Sequence, residues 1–279
     1  MPTRCGFTDP ELHFHYAEDE IPANAPFQMH IHENFEIFCF QSGDANYLVE
    51  STSYPLQPGS VMLMRPGEAH KLEILGNCTY ERYSIEFSEK LLDPVDPAHK
   101  LLEPFLQRPL GQNNLYPAQM FPGVSPQHYF KNMCRTLPDE KDRRTQILIY
   151  LYPLLGAIRT IYLEGHTFTG TPFELNIEKM ILYINEHLAE ELSVSMLADK
   201  FYMSVSHCER YFKKATGSSL WEYILIKRLL RVRRMIQSGM PSTEAYLTCG
   251  FHDYSSFYRA YVKRFGISPK ADSIASRQA

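Results

Sequence analysis

The sequence has no run of apolar residues approaching the ~18 that a bilayer-spanning helix requires, and no low-complexity tract. Its opening segment, MPTRCGFTDPELHFHY, lacks the apolar stretch of a secretory leader. No CxxC pair occurs either: Cys5, Cys39, Cys78, Cys134, Cys208 and Cys249 stand singly. The first absences point away from membrane and secreted classes, so the expectation is a cytoplasmic protein with no membrane partner. The scattered cysteines exclude a zinc ribbon and an extracellular disulfide framework, and read as reduced thiols. What is present is 279 residues, 44% of them hydrophobic, enough for two domains that each bury a core.

Charge divides the chain in the same way. From Lys200 onward there are 14 Lys and Arg against 5 Asp and Glu, a balance of +9, whereas the first 173 residues hold 13 basic and 21 acidic residues, a balance of −8. A basic tail on an acidic body is the footprint of a phosphate-binding domain joined to something else, although a charge run alone is more often a solvated helical face. The tail also carries a repeat. Ser206, Arg210, Phe212, Lys214, Gly217 and Ser219 recur 49 positions later as Ser255, Arg259, Tyr261, Lys263, Gly266 and Ser268, which suggests a duplicated supersecondary unit.

Local signals give each copy a helix-turn-helix form. In the first, a helix over 195–202 and a turn at Met203-Ser204 lead into a second helix from Val205, with Ser204 as its N-cap and Gly217 as its stop. A long basic helix ending at Gly239 follows. In the second, Ser242 opens a helix, Gly250-Phe251 makes the turn, and Tyr254 to Arg264 forms the reading helix, ended by Gly266. A recognition helix needs side chains on one face that reach base edges, flanked by cations that grip phosphate. That face carries Ser206, Glu209, Arg210 and Lys213 in the first copy, and Tyr254, Ser255, Arg259 and Lys263 in the second. Glu209 has a second reading, as an i+4 ion-pair partner of Lys213. Phe212, Phe257, Tyr261 and Phe265 fall on other faces and read as core. Arg228, Arg231, Arg233 and Arg234 on the connecting helix are expected to grip phosphate. If that helix is rigid, the two reading helices enter successive major grooves about 34 Å apart.

The front half is written differently. Short alternating runs (FEIFCF, YLVE, VMLM, YSIEF), broken at Ser42-Gly43-Asp44, Pro58-Gly59 and Pro66-Gly67, predict an antiparallel sandwich or barrel up to about Phe87. Proline-rich text from Lys90 to about Phe130 predicts loops with short helices. Arg143 to Gly165 has apolar residues at helical intervals, with Pro153 expected to kink it; it reads either as core packing or as a stripe shown to a second subunit. GHTFTGTPF, 165–173, reads as a linker.

Two resemblances extend this reading. From about Leu192 to Ser273 the chain resembles the AraC/XylS-type DNA-binding domain, through Leu197-Ala198, Met203-Ser204, Arg210 to Gly217, Gly250-Phe251, Phe257, Arg259 and Phe265 to Pro269. The resemblance implies a base-facing set of Ser206, Glu209, Arg210, Tyr254, Ser255 and Arg259. Tyr246 and Val232 stand where that family usually has alanine, and Tyr246 is expected to push the helices of the second module apart. In the front half, His30-x-His32-x3-Glu36-x6-Gly43, then Gly59 and Pro66-Gly67-x2-His70, resemble the two motifs of cupin barrels, in which such residues converge on one metal. Arg65 and Ile74 depart from the second motif.

The expected architecture is mixed and two-domain: an N-terminal antiparallel β-barrel of cupin-like jelly-roll type followed by helices (1–164), a linker (165–173), and an all-α domain with two helix-turn-helix modules (174–279). The expected function is a non-enzymatic regulator that binds double-stranded promoter DNA, reads an asymmetric site and responds to a small-molecule effector, a carbohydrate by the resemblance. It is expected to form a homodimer and, if an activator, to engage RNA polymerase. His30, His32, Glu36, His70, Phe38 and Tyr47 are the candidate effector ligands, with Phe35 and Tyr83 as further stacking aromatics. No cofactor is expected; a divalent ion held by His30, His32, Glu36 and His70 is the alternative occupant. Two other functions stay open: a metal-dependent cupin enzyme, and a ligand-free dimerisation barrel.

Overall fold

The alternating runs become antiparallel strands: β1 (Arg4–Thr8), β2 (Leu12–Ile21), β3 (Phe35–Ser42), β4 (Ala45–Val49), β5 (Thr52–Pro55), β6 (Val61–Met64), β7 (His70–Ile74), β8 (Cys78–Phe87), and the short β9 (Leu115–Tyr116) and β10 (Thr171–Pro172). The computed structural model describes residues 4–21, 27, 29–121, 123–135, 142–166, 168, 170–172 and 175–278. One sheet has the order β1-β2-β8-β3-β6-β9 and the other β10-β5-β4-β7. Among the described residues no ladder closes them into a barrel, so the expected barrel is instead a pair of sheets. Alternation in short strands is common to both architectures; only the order of pairing separates them.

The two faces of the six-stranded sheet explain why β3 is buried from Phe35 to Phe40. Odd-numbered residues on the central strands, Phe35, Ile37 and Cys39 on β3, Val61 and Leu63 on β6, and Tyr83, Ile85 and Phe87 on β8, share one core with the helices that follow. The intervening Phe38, Phe40, Met62, Met64 and Tyr80 belong to a second core shared with β4, β5 and β7. Period-2 geometry thus sends one strand's residues alternately into two cores.

Helices α1 (Glu103–Leu106), α2 (Pro126–Met133) and α3 (Arg143–Leu163) follow the strands. The apolar window of α3, of mean hydropathy 1.3, is long enough to cross a membrane, which corrects the expectation that no stretch approaches that length. It is nevertheless packed in the first core through Ile147, Leu151, Leu154, Leu155, Ile158 and Ile161, each such side chain contributing roughly 1.5–3 kcal/mol by leaving water. Ile149 and Leu163 are exposed. The helix is continuous through Pro153. Within 165–173, Thr171 and Pro172 pair with Ser53 and Thr52 of β5, and the chain divides into units 1–173 and 174–279.

The second unit contains α4 (Leu175–Glu186), α5 (Val194–Lys200), α6 (Val205–Thr216), α7 (Leu220–Gln237), α8 (Ser242–Thr248), α9 (Tyr254–Phe265) and α10 (Pro269–Gln278). Ser204 accepts from His207 N and caps α6, and left-handed Gly217 and Gly266 end α6 and α9. Asp253, which the sequence reading passed over, caps α9 by accepting from Ser255 and Ser256 N. Phe212, Phe257 and Tyr261 are fully buried. Tyr246 does not wedge α8 from α9: its ring stacks on Phe257 at 5.6 Å and meets Tyr254 edge-on at 5.3 Å. Asp272 of α10 accepts from Tyr261 Oη and Arg233 Nε, tying that helix to α9 and α7.

Candidate effector pocket and nucleic-acid interface

In the first unit a cavity of about 200 Å³ opens on the even-numbered face of β3 and β8. Four residues singled out from the sequence line it: His30, Glu36, Phe38 and Tyr47. Phe35 and Tyr83 do not; their odd-numbered positions send them into the core beneath α3. His15, Tyr80, Arg82 and Ser84 line the cavity and were missed. The signal for three of them was the alternation of β8, which puts Tyr80, Arg82 and Ser84 on one face. Arg82 pairs with Asp19 and lies 4.8 Å from the Tyr80 ring centroid. The cavity therefore combines aromatic faces with cationic, hydroxyl and carboxylate groups. It is smaller than the ~300–1,000 Å³ clefts that enclose drug-sized molecules, which suits a small metabolite.

At one end of the cavity His30, His32, Glu36 and His70 bring their ligand atoms within 4.8 Å of one another. His30 and His32 do not owe their shared face to strand alternation, because 31–34 are not strand; His30 is held by an isolated bridge, its N–H donating to His70 O at 2.9 Å and the reciprocal bond measuring 3.0 Å. Glu36 and His70 are buried, on β3 and at the start of β7.

Proton positions follow from the partners. A carbonyl oxygen only accepts, so His32 Nδ1 donates to Asn34 O at 2.9 Å and His70 Nδ1 donates to Glu68 O at 2.8 Å. In the neutral form each imidazole then has a lone pair at Nε2. Both Nε2 atoms point at one oxygen, Glu36 Oε2, at 2.9 Å from His32 and 3.1 Å from His70; His70 Nε2 is buried without a well-aligned hydrogen bond. Lone pairs facing a carboxylate repel unless a proton or another cation lies among them. Burial opposes charge on His32, but the Glu36 contact outweighs it and raises the His32 pKa. Burial likewise raises Glu36, yet the two histidines hold its carboxyl well below the usual range. The donor set fits a divalent ion: His32 and His70 are each oriented by a backbone carbonyl, the usual outer support of a metal ligand. Metal–nitrogen bonds of ~2.1 Å set donors at most ~4.2 Å apart, close to the 4.8 Å within which these four already lie.

In the second unit every residue on the two reading helices assigned to base or phosphate contact is exposed: Ser206, Glu209, Arg210 and Lys213 on α6, and Tyr254, Ser255, Arg259 and Lys263 on α9. Ser206, Arg210 and Lys213 fall at i, i+4 and i+7, opposite buried Cys208, Phe212 and Ala215. Apart from Asp253 at its N-cap, the second helix has no acidic group. The connecting helix α7 needs a correction. Arg228 is buried, and donates from Nε to Leu188 O at 2.9 Å and from NH2 to Glu190 O at 2.6 Å; it holds the loop after α4 and is not available to phosphate. Arg233 is half-buried against Asp272 and the Phe265 ring. Arg231 and Arg234 remain exposed.

Two family comparisons coincide with these two sites. Residues 15–152 match the AraC-like ligand binding domain, and residues 197–272 match a helix-turn-helix domain. The chain belongs to the AraC family. It is similar to the HTH-type transcriptional activator RhaS of Escherichia fergusonii, with 23% identity over 91% of this chain and 89% of that protein, and to RhaS of Citrobacter koseri, with 21% identity over the same shares. Among solved structures, the DNA-binding domain of AdpA in complex with a target DNA is 29% identical and covers 36% of this chain and 91% of its own, with a TM-score of 0.35. Apo ToxT from Vibrio cholerae is 12% identical and covers 95% of this chain and 98% of its own, with a TM-score of 0.42. As an AraC-family protein the chain is a DNA-binding transcriptional regulator with a ligand-binding domain.

Proposed function

We propose that this AraC-family regulator is a cytoplasmic, homodimeric activator whose cavity binds a small polyhydroxylated metabolite, of carbohydrate class, and thereby alters how α6 and α9 engage promoter DNA and how the complex engages RNA polymerase. The observation that carries the effector reading is the cavity lining: the faces of Phe38, Tyr47 and Tyr80 beside the polar groups of His15, His30, Arg82 and Ser84 suit a ring that is apolar on one face and hydroxylated at its edge. The effector must favour one state of the protein, since equal affinity for both shifts nothing. Exposed Ile149 and Leu163 on α3 support the second-copy reading.

A divalent cation in the cluster belongs to the same proposal. His30, His32, Glu36 and His70 would hold it, and it would supply a Lewis acid to which an effector's oxygens can bind. His30 and Glu36 belong to both cluster and cavity, so effector and cation would be neighbours. The chain's own residues orient the ligand: Arg82 and Ser84 donate to its oxygens and the aromatics cover its apolar face.

The experiment is selection of sheared genomic DNA by the full chain, with and without a panel of sugars, alongside Arg210→Ala and Arg259→Ala. Each arginine loss is expected to cost about 1–3 kcal/mol and to relax a different part of the selected site. No enrichment above a salt-sensitive background, with or without sugar, would overturn the sequence-reading part; enrichment and transcription indifferent to every sugar would overturn the effector part.

A further inference from the structure

Cys5 and Cys134 lie together although 129 positions separate them. Cys5 is on β1, at the edge of the six-stranded sheet, and Cys134 follows α2. Cys5 Sγ donates to the Cys134 carbonyl oxygen at 3.7 Å, and the guanidinium of Arg143, first residue of α3, reaches Cys5 Sγ through NH2 while its NH1 donates to Arg135 O at 2.8 Å. Cys5 is partly exposed and Cys134 is buried. A partly exposed thiol touching a cation, with a second thiol behind it, is the arrangement of a reactive cysteine and its resolving partner.

We infer that Cys5 and Cys134 form a reversible disulfide when the protein meets a hydroperoxide, Cys5 being the residue attacked and Cys134 the one that resolves it. In the first step the Cys5 thiolate attacks one peroxide oxygen, the O–O bond breaks, and the departing alkoxide or hydroxide takes a proton from water; Cys5 becomes a sulfenic acid. In the second, Cys134 loses its proton and attacks the Cys5 sulfur, the S–O bond breaks, and hydroxide leaves with that proton as water. Two thiols lose two electrons and the peroxide gains them.

The surroundings order these steps. The Cys134 hydrogen bond, followed by burial acting the other way and then the charge of Arg143, leaves the Cys5 thiol lowered from 9.0 to about 7. Cys134 is held up, first by its hydrogen bond to Cys5 and then by burial and the Cys5 charge. Once Cys5 is oxidised that negative neighbour is gone and Arg143 remains, so Cys134 becomes the easier thiol to ionise when it is needed. Cys39, Cys208 and Cys249 differ: burial leads in each case and raises the thiol, Cys249 to about 11. Oxidation also takes the thiolate away from Arg143 and so changes what anchors the start of α3 in its core.

The test uses the full chain, titrated with hydrogen peroxide, alkylated under denaturing conditions, and read by intact-mass and peptide mass spectrometry. The expected result is the loss of two hydrogens, a linked peptide joining Cys5 to Cys134, and full reversal by dithiothreitol. Cys134→Ser should stop at a dimedone-reactive sulfenic acid on Cys5; Cys5→Ser should leave Cys134 reduced at the same dose; Arg143→Gln should slow oxidation several-fold. Circular dichroism of each variant establishes that it is folded. Oxidation of Cys5 straight to sulfinic acid with Cys134 present, linkage to any other cysteine, or equal alkylation of both thiols before and after peroxide would overturn the inference.

Discussion

Arg108 grips Glu68 by both carboxylate oxygens, NH1 to Oε1 and NH2 to Oε2 at 2.7 Å each, with both side chains buried. Glu68 also accepts from Gly111 N at 2.8 Å, Asn114 Nδ2 at 3.1 Å and Arg65 N at 3.2 Å. The same residue's carbonyl accepts from His70 Nδ1, so the pair sits directly behind the histidine cluster. Breaking such a pair strands a buried charge, which costs about 3–5 kcal/mol. Glu68→Ala and Arg108→Ala are each expected to lose that much in urea denaturation followed by circular dichroism, and the double change to lose less than the two combined. Single losses below about 1 kcal/mol would mean that water reaches the pair.

The pair also sets an acid limit. Burial pushes the Glu68 carboxyl up, but the Arg108 charge and hydrogen bonds, with the Gly111 amide, bring it from 4.5 down to about 2. A carboxyl with a lowered folded-state pKa stabilises above its unfolded value and loses that contribution as pH falls through the folded one. The stability difference between wild type and Glu68→Gln should therefore be flat from neutrality to about pH 5 and shrink between 4.5 and 2. A difference that vanishes already at pH 6 would require another group to be responsible.

Two arginines three residues apart on α7 should behave oppositely. Buried Arg228 bonds the carbonyls of Leu188 and Glu190, and Gly250, at φ +81°, lies so close that an added β-carbon would fall 2.7 Å from Leu188 O and 2.8 Å from Arg228 NH2. The turn of the second module thus rests on the residue that holds the loop after α4. Arg228→Ala and Gly250→Ala should each destabilise the second unit by about 1–3 kcal/mol and leave the salt dependence of DNA binding unchanged. Exposed Arg231→Ala should leave stability within about 0.5 kcal/mol and reduce the salt slope by about one. A reduced slope for Arg228→Ala in a fully folded protein would return that residue to the phosphate.

These contrasts show what a linear reading reaches. His30, His32 and Glu36 were visible because their spacing is a local motif, and His70 because it stands in the second of the two cupin-like motifs. Helix caps such as Ser204 and stops such as Gly217 are decided by a few neighbouring residues and were equally visible. Arg108, by contrast, lies in a loop 40 positions from its partner, with no periodicity to announce it. Arg228 looked like its neighbours because a run of basic residues on a helix does not say which one meets the carbonyls of the loop after α4. Arg82 and Ser84 could be reached in principle, since β8 alternates strictly, but only the pairing of β8 between β2 and β3 reveals that its even face is the cavity.

The histidine cluster yields the prediction that separates its two states. Because His32 and His70 both commit Nδ1 to carbonyls and both aim Nε2 at Glu36 Oε2, a positive centre is required there, and a proton and a divalent ion are rivals for it. Protein purified without chelator and dialysed against trace zinc, manganese, iron or nickel should retain close to one equivalent of one of them by elemental analysis. Glu36→Gln, which removes the charge and keeps the shape, should weaken that binding more than tenfold, and His32→Ala should do the same. His13→Ala, at an exposed histidine outside the cluster, should leave it unchanged and controls for surface binding. If no metal is retained and Glu36→Gln merely lowers stability, a proton rather than a metal ion occupies that centre. The cavity would then recognise its effector with an imidazolium–carboxylate pair in place of a metal ion, beside Arg82, Ser84 and the aromatic rings.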